Sequence, residues 1–377
     1  MKMLLIFFLL LAFTINAFGI DTNTEKTILD QNWGLKKIDV EKSWSISQGN
    51  KKIIIAIIDT GMDMNHPELK NNLWVNPKEI SDNGIDDDGN GFIDDIHGWN
   101  FVTENNKPLD SQGHGTHIAG IIHGVAPKAS FMVLKYFDPK SLSDKNITNT
   151  VRAIDYAVNN GAQIINYSGG GFGKNPLEEM AIKRAKDKNI LFVAAAGNEA
   201  TNSDKNSFYP ASYDLSNIIS VASLTQESDL VESSNFGIET VDIAAPGKNI
   251  FSTLPGGRYG FMTGTSQATA FATGVLAIMM TVYPDIHNTE KLIQYLVSAG
   301  SIEENLNGKT KYKTKLNSYR ALAMKGKEVD ANGLSAENTK QINADIFSSE
   351  SSILDANLDS LIKNTNTKNR MRIPAQQ

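Results

Sequence analysis

Uninterrupted runs of apolar residues, rich in β-branched side chains, recur along the chain. They occupy residues 53–59, 131–137, 163–167, 190–196 and 218–222. The first run ends on the carboxylate of Asp59. A run of this length without polar alternation is typical of a strand that is buried on both faces of a parallel sheet. The pattern therefore predicts a series of buried strands.

Between several of these runs, apolar residues return every three or four positions, which predicts amphipathic helices. One helical pattern begins at Val151, a second at Leu177 and a third directly behind Ser266. Alternating strands and helices predict an α/β fold, a doubly wound, mostly parallel sheet flanked by helices. In such a sheet, sites lie beyond the carboxyl ends of the strands. Asp59 and Asn198 both fall at such ends.

The two ends of the chain differ from this middle part. Residues 1–19 combine a charged start, a short apolar core and a small-residue cleavage motif, which predicts a signal peptide. We expect residues 20–32 to form a short N-terminal arm without a sizeable pro-domain, and residues 33–323 to form one large domain. Residues 324–377 are rich in Asn, Ser, Lys and Asp, which predicts a polar C-terminal tail, flexible or lightly docked.

Composition narrows the classes of protein. The chain has 36 Lys and Arg against 42 Asp and Glu, a formal net charge of −6, and carries no basic stripe for nucleic acid. It has no cysteine, so neither disulfides nor thiolate metal sites are available. The N-terminal apolar run is short for a membrane span. We therefore expect a secreted or periplasmic monomer without stable membrane insertion once the signal is removed.

Four polar residues stand where nucleophilic catalysis needs them. His114 lies between two glycines at a predicted helix start, and Ser266 falls in the first turn of the apolar helix. Asp59 ends a strand, and Asn198 follows a glycine behind another. A serine hydroxyl needs an imidazole as its base, and the imidazole needs a carboxylate that fixes its tautomer. The oxyanion then needs donors such as a helix-start N–H and a carboxamide.

The segments around these residues resemble the four signatures of the subtilisin-like serine endopeptidases. They are residues 57–63 (IIDTGMD), 114–120 (HGTHIAG), 195–199 (AAGNE) and 264–266 (GTS). The order Asp, His, Ser along the chain also matches that family. The resemblance covers roughly residues 33–323. It implies that Ser266 is the nucleophile of an acyl-enzyme mechanism, His114 its base and Asp59 the orienting carboxylate. Asn198 then donates to the oxyanion beside the Ser266 N–H.

The same resemblance implies that Ser168, Gly169 and Gly170 form an extended edge that pairs with the backbone of protein or peptide substrates. The function it implies is that of a secreted serine endopeptidase. The alternative is a catalytically inactive protein that keeps the fold as a binding or scaffold module. A zinc protease is disfavoured, because His114 and His117 lack the spacing and adjacent Glu of a zinc helix. We expect His117 to pack in the core.

A second site is predicted in the acidic loop 83–95. With Gly91 at the sharp turn, the loop resembles that of an EF-hand, and its oxygen atoms suit a structural calcium ion. The predicted ligands are Asp86, Asp88, Asn90, the carbonyl of Phe92, Asp94 and Asp95. The bidentate glutamate that usually closes such a loop is missing, since His97 occupies its place. A solvated acidic turn is the alternative interpretation.

Two departures from the family pattern carry expectations of their own. Gln267 replaces the methionine that usually follows the nucleophile, which predicts better resistance to peroxide. The helix that begins at His114 continues without the calcium-binding loop that many members insert there. We therefore expect no metal role for Glu68, which stands at a position the family often uses for that ion.

Overall fold

The computed structural model describes residues 31–139 and 143–323, together with the backbone of residues 329–330 and 333–334. The predicted signal peptide, nearly all of the predicted arm and most of the predicted tail lie outside the described residues.

A nine-stranded sheet forms the centre of the protein. The strands of the described chain are β1 (Ile54–Asp59), β2 (Gly98–Asn100), β3 (Ser130–Lys135), β4 (Ile164–Tyr167), β5 (Leu191–Ala195), β6 (Ile218–Leu224), β7 (Ile243–Pro246), β8 (Ile250–Leu254), β9 (Arg258–Met262), β10 (Ser301–Ile302), β11 (Thr314–Lys315), β12 (Val329–Asp330) and β13 (Gly333–Leu334). The sheet order is β10-β11-β7-β6-β5-β4-β1-β3-β2, and every pair in it is parallel except β10–β11. Strands β8 and β9 form a separate antiparallel hairpin. The predicted mostly parallel α/β fold is confirmed.

Helices cover both faces of the sheet. They are α1 (Trp33–Lys37), α2 (Val40–Trp44), α3 (His114–Val125), α4 (Ser143–Asn159), α5 (Pro176–Asp187), α6 (Thr265–Val282), α7 (Thr289–Ala299) and α8 (Ser318–Ala323). Alternate residues of β1 enter two different cores, because successive side chains of a strand point to opposite faces. Ile55 and Ile57 pack in the core shared with α3 and α6, whereas Ala56 and Ile58 pack in the core shared with α4 and α5.

The central helix α6 is buried along almost its whole length. It packs against α3 and against β4 to β7. Within the described residues, it is the one helix long and apolar enough to cross a membrane, and most of it lies inside the protein. A helix that is apolar on all sides is typical of the core of a large domain. Its N-terminal end carries Ser266 to the carboxyl edge of the sheet.

The first described helices belong to this core. Leu35, Ile38 and Val40 are buried in it. The Ser318 N–H donates to the carbonyl of Ile38 at 2.8 Å, so α8 closes the domain against its N-terminal end.

Candidate active site

The first part of the site is the junction between β1 and α3. Asp59 ends β1 and is 3% exposed, and α3 begins at His114. Gly115 allows the first turn of α3 to approach the turn after β1. A Cβ atom there would lie 2.1 Å from the carbonyl oxygen of Gly61, which no side chain tolerates. The glycine after the histidine therefore places the imidazole beside the carboxylate.

His114 is held by both oxygens of Asp59. Its Nδ1 lies 2.8 Å from Oδ1 and 3.0 Å from Oδ2. Because the carboxylate can only accept, Nδ1 carries the hydrogen, and Nε2 of the neutral ring is left as the acceptor. Burial lowers the pKa of His114, but the charge and hydrogen bond of Asp59, with the charge of Asp110, outweigh it and raise the pKa above its ordinary value.

Ser266 lies at the same edge of the sheet. It is the second residue of α6 and is 7% exposed. Its hydroxyl donates to the carbonyl of Ser168 at 3.2 Å. Ser168 directly follows β4, the neighbour of β1, so the serine stands next to the strand end that carries Asp59. Within the described residues no hydrogen bond joins Ser266 to His114. Catalytic hydrogen bonds of this kind often tighten only when substrate binds.

Asn198 follows β5 and faces the start of α6. Its Oδ1 accepts from the N–H of Thr265 at 2.9 Å and from the Thr265 hydroxyl at 3.2 Å. These donors fix the orientation of the amide, because its NH₂ group cannot face them. The NH₂ group of Asn198 has no acceptor within the described part of the chain. The N–H of Ser266, in the first turn of α6, has none within its own helix.

Gly264 lies directly before α6 and faces Asn198. The backbone of Gly264 is extended, with φ 162° and ψ 170°. A Cβ atom there would lie 3.1 Å from Oε1 of Gln267 and 3.4 Å from Oδ1 of Asn198. The absence of a side chain therefore keeps the space between the carboxamide and the helix start open.

The predicted substrate edge runs past this space. Ser168 and Gly169 are partly exposed and Gly170 is exposed. The backbones of the two glycines make no hydrogen bond to the described residues. Both glycines are also packed from beneath, since a Cβ at Gly169 would lie 2.2 Å from the hydroxyl of Tyr136 and one at Gly170 2.4 Å from the ring of Phe208. The edge formed by residues 168–170 therefore presents the unpaired backbone groups of Gly169 and Gly170, and the side chains of Tyr136 and Phe208 pack behind them.

His117 is fully buried behind the site, as expected. Its Nε2 donates to the carbonyls of Ile250 at 3.0 Å and Gly260 at 3.3 Å. Burial, with the charge of His114, lowers the pKa of His117 to about 3. The ring is therefore neutral and structural. It links α3 to the β8–β9 hairpin.

Glu68 is engaged by side chains in this structure. Its Oε1 accepts from the Tyr259 hydroxyl at 2.6 Å, and its Oε2 lies 4.0 Å from Nε2 of His123. His123 lies near the end of α3, which runs unbroken through the place of the expected deletion.

The acidic loop brings together part of the predicted ligand set. Carboxylate oxygens of Asp86 and Asp88 lie within 4.8 Å of one another and of Glu79, a residue that the motif did not include. Glu79 precedes the loop and folds back over it, accepting the N–H groups of Asp87, Asp88 and Asp94. Only the folded chain shows this, because no EF-hand spacing reaches so far upstream.

The other predicted ligands make contacts of their own in and around the loop. Asn90 Nδ2 donates to Asp95 at 2.9 Å, and Asp95 also accepts from the Tyr156 hydroxyl at 2.5 Å. Asp94 accepts the N–H groups that follow Asp82, those of residues 83 and 84, at 3.1 and 3.0 Å. The ring of Phe92 packs edge-on against Tyr156, with centroids 5.0 Å apart. Among the described residues, the acidic group consists of Glu79, Asp86 and Asp88, and the ligand roles of the other four residues stay predictions.

Asp110 is a buried carboxylate at the site that the motifs did not single out. It lies four residues before His114 and is 9% exposed. Its oxygens accept five hydrogen bonds from groups around the start of α3. An aspartate just before a glycine-led helix start is typical of a residue that caps the helix N-terminus, and this spacing was the available sequence signal.

Comparison with known proteins agrees with this geometry. Residues 50–325 match the model of the Subtilase family. The chain is 34% identical over 297 residues to the major intracellular serine protease of Bacillus subtilis (strain 168), covering 75% of this chain and 86% of the relative. It is 33% identical over 304 residues to thermitase of Thermoactinomyces vulgaris, covering 78% and 96%.

A longer relative and a solved structure are also similar to this chain. Subtilisin-like protease 1 of Plasmodium berghei (strain Anka) is 33% identical over 284 residues, covering 67% of this chain, and the chain spans only 47% of that relative's length. The epidermin leader peptide processing serine protease EpiP from Staphylococcus aureus superposes with a TM-score of 0.66 at 28% identity, covering 84% of this chain and 86% of EpiP. Together with the fold and the family match, these likenesses show that the chain belongs to the subtilase family.

Proposed function

We propose that the protein is a secreted serine endopeptidase that cleaves proteins or peptides through an acyl-enzyme. The observation that carries the proposal is the paired contact of His114 Nδ1 with both oxygens of Asp59, at 2.8 and 3.0 Å. This contact leaves a neutral Nε2 as base at the sheet edge where Ser266 opens α6. Serine proteases among the family relatives support the same chemistry.

In the first step, Ser266 Oγ attacks the carbonyl carbon of the scissile peptide bond while His114 Nε2 accepts the hydroxyl proton. The hydroxyl must first leave the carbonyl of Ser168, its partner at 3.2 Å. Rotation about χ1 of Ser266 accomplishes this without moving the backbone. Asp59 stabilises the imidazolium that forms and keeps its ring in place.

The tetrahedral intermediate carries its negative charge on the former carbonyl oxygen. Two donors support it, the NH₂ group of Asn198 and the N–H of Ser266 at the positive end of α6. His114 then passes its proton to the leaving amine, and the acyl-enzyme remains on Ser266. A water molecule activated by the same imidazole hydrolyses the ester.

Substrate binding is proposed for the edge Ser168–Gly170. Its unpaired backbone groups suit an extended peptide that adds to it as a strand. Backbone pairing of this kind recognises a flexible or unfolded segment of a protein and does not depend on the identity of every side chain. The protein substrate class follows from this mode of recognition.

A fluorophosphonate probe tests the nucleophile directly, because it reacts only with an activated serine. We expect wild-type protein to be labelled at Ser266 and to hydrolyse casein or a mixed peptide library. Replacement Ser266→Ala or His114→Ala should lower kcat by about 10⁶-fold. A folded wild-type protein that is neither labelled nor active would instead support the inactive scaffold alternative.

Calcium is proposed as a structural ion of the acidic loop. Three hard carboxylates, from Glu79, Asp86 and Asp88, converge there, and hard oxygen ligands suit calcium. Burial raises the pKa of Glu79, and the neighbouring charges of Asp95 and Asp88 add a smaller repulsion, which a bound cation would relieve. The ion would stiffen the loop and take no part in bond cleavage.

Export and the monomeric state are part of the same proposal. Residues 1–19 form the signal that directs export. Mass spectrometry of the exported protein should find an N-terminus after residue 19, and light scattering should find one copy per particle. Retention of residues 1–19 in the active protein would contradict export by this signal.

A further inference from the structure

The buried carboxylate of Asp110 accepts five hydrogen bonds. All five donors lie close to the end of β1 or to the start of α3. Oδ1 accepts from the Thr60 hydroxyl at 3.0 Å and from the N–H groups of Gln112 at 2.9 Å and Gly113 at 2.8 Å. Oδ2 accepts from the N–H of Thr116 at 2.9 Å and from its hydroxyl at 2.7 Å. Every partner flanks either Asp59 or His114 in sequence.

The two oxygens hold the first turn of α3 from both sides. Gly113 immediately precedes His114, and Thr116 follows it by two residues. One rigid carboxylate bonded to both residues fixes the backbone that carries the imidazole. Charge-assisted hydrogen bonds of this kind are stronger than neutral ones, and they satisfy N–H groups that a helix start leaves without partners.

The Thr60 hydroxyl and N–H connect the hydrogen bonds of Asp110 to the carboxylate of Asp59. It donates to Asp110 and accepts from the N–H of Gly115 at 2.9 Å. The N–H of Thr60 in turn donates to Asp59 Oδ1 at 2.7 Å. A continuous chain of hydrogen bonds therefore joins the carboxylate end of β1 to the start of α3.

Asp110 is itself anchored through the residues before it. The carbonyl of Leu109 accepts from Lys135 Nζ at 2.8 Å, and Lys135 is only 7% exposed. The carbonyl of Pro108 accepts from the N–H of Met62 at 3.0 Å. The segment before α3 is thus tied to β3 and to the turn after β1.

We infer that Asp110 is a positioning residue that sets the geometry of the Asp59–His114 pair, an inference that rests on the proposed function. Only a carboxylate suits its place. An asparagine offers one accepting oxygen and would turn an NH₂ group toward N–H or hydroxyl donors. Misplacement of a base by about 1 Å costs on the order of 10²-fold in rate, so a distorted helix start lowers the chemical step without removing substrate contacts.

The test compares Asp110→Asn with Asn175→Ala, a matched control. Asn175 also accepts the first N–H groups of a helix, those of residues 177 and 178, but α5 carries none of the proposed catalytic residues. We expect Asp110→Asn to lower kcat and the rate of fluorophosphonate labelling by about 10- to 100-fold with little change in KM. The downfield NMR signal of the His114 Nδ1 proton should broaden or shift. Asn175→Ala should lower thermal stability and leave all these readouts unchanged.

A second pair of variants, at Thr116, tests the same role in case Asp110→Asn does not fold. Thr116→Val removes the hydroxyl that donates to Asp110 at 2.7 Å and accepts from the N–H of Asp63 at 3.0 Å, and Thr116→Ser keeps it. We expect the valine variant to lose labelling rate and the serine variant to retain it. Wild-type labelling kinetics and an unchanged proton signal in folded Asp110→Asn or Thr116→Val would overturn the positioning role. A wild-type protein without labelling would overturn the proposed function and this inference together.

Discussion

Asn198 is oriented by a neighbour on the helix that carries the proposed nucleophile. Because Thr265 occupies Oδ1 from two directions, the NH₂ group is set before substrate arrives. Donors fixed in advance are worth most in the transition state. Replacement Asn198→Ala should therefore lower kcat by about 10²- to 10³-fold with KM nearly unchanged. Steady-state kinetics on a peptide substrate measure kcat and KM. A rise in KM with unchanged kcat would mean that Asn198 contributes to substrate binding and not to stabilisation of the transition state.

The pH profile reports the raised pKa of His114. In the proposed mechanism His114 acts as a base only when it is neutral. We therefore expect kcat/KM to rise with pH through this pKa, with the midpoint of the acid limb above the ordinary histidine value of 6.5. Removing the charge with Asp59→Asn should move the midpoint to lower pH and reduce kcat by about 10⁴-fold. A midpoint that does not move would mean that another group controls the acid limb.

We predict that the response to peroxide depends on Met262, a residue that lies outside the serine motif. The sequence predicts resistance because Gln267 replaces a methionine, yet Met262 Sδ lies 4.0 Å from Gln267 Nε2. Met262 is partly exposed, and oxidation there would place a polar sulfoxide beside Gln267, the residue that follows Ser266. We expect peroxide to lower wild-type activity and Met262→Leu to protect it. Met180→Leu, at a side chain 55% exposed, is the control and should give no protection.

At the scale of single residues, the sequence predicts the proposed catalytic residues and misses the residues that hold their neighbours in place. Asp59, His114, Asn198 and Ser266 each stand inside a short motif whose residue types reveal the chemistry. Glu79 joins the acidic group only because the chain before the loop folds back over it. No local spacing encodes a partner of that kind.

Helix α5 contains an acid whose burial makes stability depend on pH. Glu178 is 2% exposed and lies 2.9 Å from the Tyr213 hydroxyl. That hydroxyl also lies 3.0 Å from the carbonyl of Asn175, and its single proton cannot serve both acceptors. Burial raises the pKa of Glu178 to about 7, and a protonated carboxyl group resolves the shortage of donors.

The raised pKa fixes the sign of the pH effect. The folded state binds the proton more tightly than the unfolded state, so this contribution is complete below the unfolded pKa near 4.5 and is lost as pH rises through about 7. We expect the free energy of unfolding to fall by about 3 kcal/mol across this window. Glu178→Gln should flatten that slope, whereas Glu179→Gln, next to it and partly exposed, should keep it.

Denaturant unfolding at a series of pH values measures the slope, in a Ser266→Ala background that prevents self-cleavage. The same slope in both glutamine variants would contradict the assignment to Glu178.

Among the elements, long uniform patterns were predictable and short ones were not. Strands β1, β3, β4, β5 and β6 follow from apolar runs, and α6 follows from its apolar helix pattern. Strands β2, β10 and β11 have two or three residues each, too few for any periodicity. These short strands form because their backbones pair with a neighbouring strand. That pairing depends on the assembled sheet and not on the local sequence.

At the scale of the whole molecule, calcium binding should appear as added stability. A ligand present at about 100 times its Kd stabilises the folded state by about 2.7 kcal/mol, which raises Tm by roughly 4–5 °C for a domain of about 290 residues. We expect EGTA to lower the Tm of wild-type protein by that amount. Asp86→Asn should lower it in the presence of calcium and abolish the response to EGTA.

Asp82→Asn is the matched control for this experiment. It removes the same charge from an exposed aspartate outside the acidic group, whose side chain accepts only from the Ser81 hydroxyl among the described residues. The control should respond to EGTA as wild type does. A Tm insensitive to EGTA in wild type would favour a solvated acidic turn.

The closure of α8 against the start of the domain has a topological consequence. Asn317 Nδ2 reaches Asp39 Oδ2 at 2.8 Å, beside the backbone bond between Ser318 and Ile38. The start of the domain and the start of α8 therefore lie side by side, and a short Gly/Ser linker is enough to join these two elements. A circularly permuted chain, reopened at the exposed turn around Gly308, would interrupt no strand of the central sheet and would leave Asn317 and Asp39 connected by the new linker.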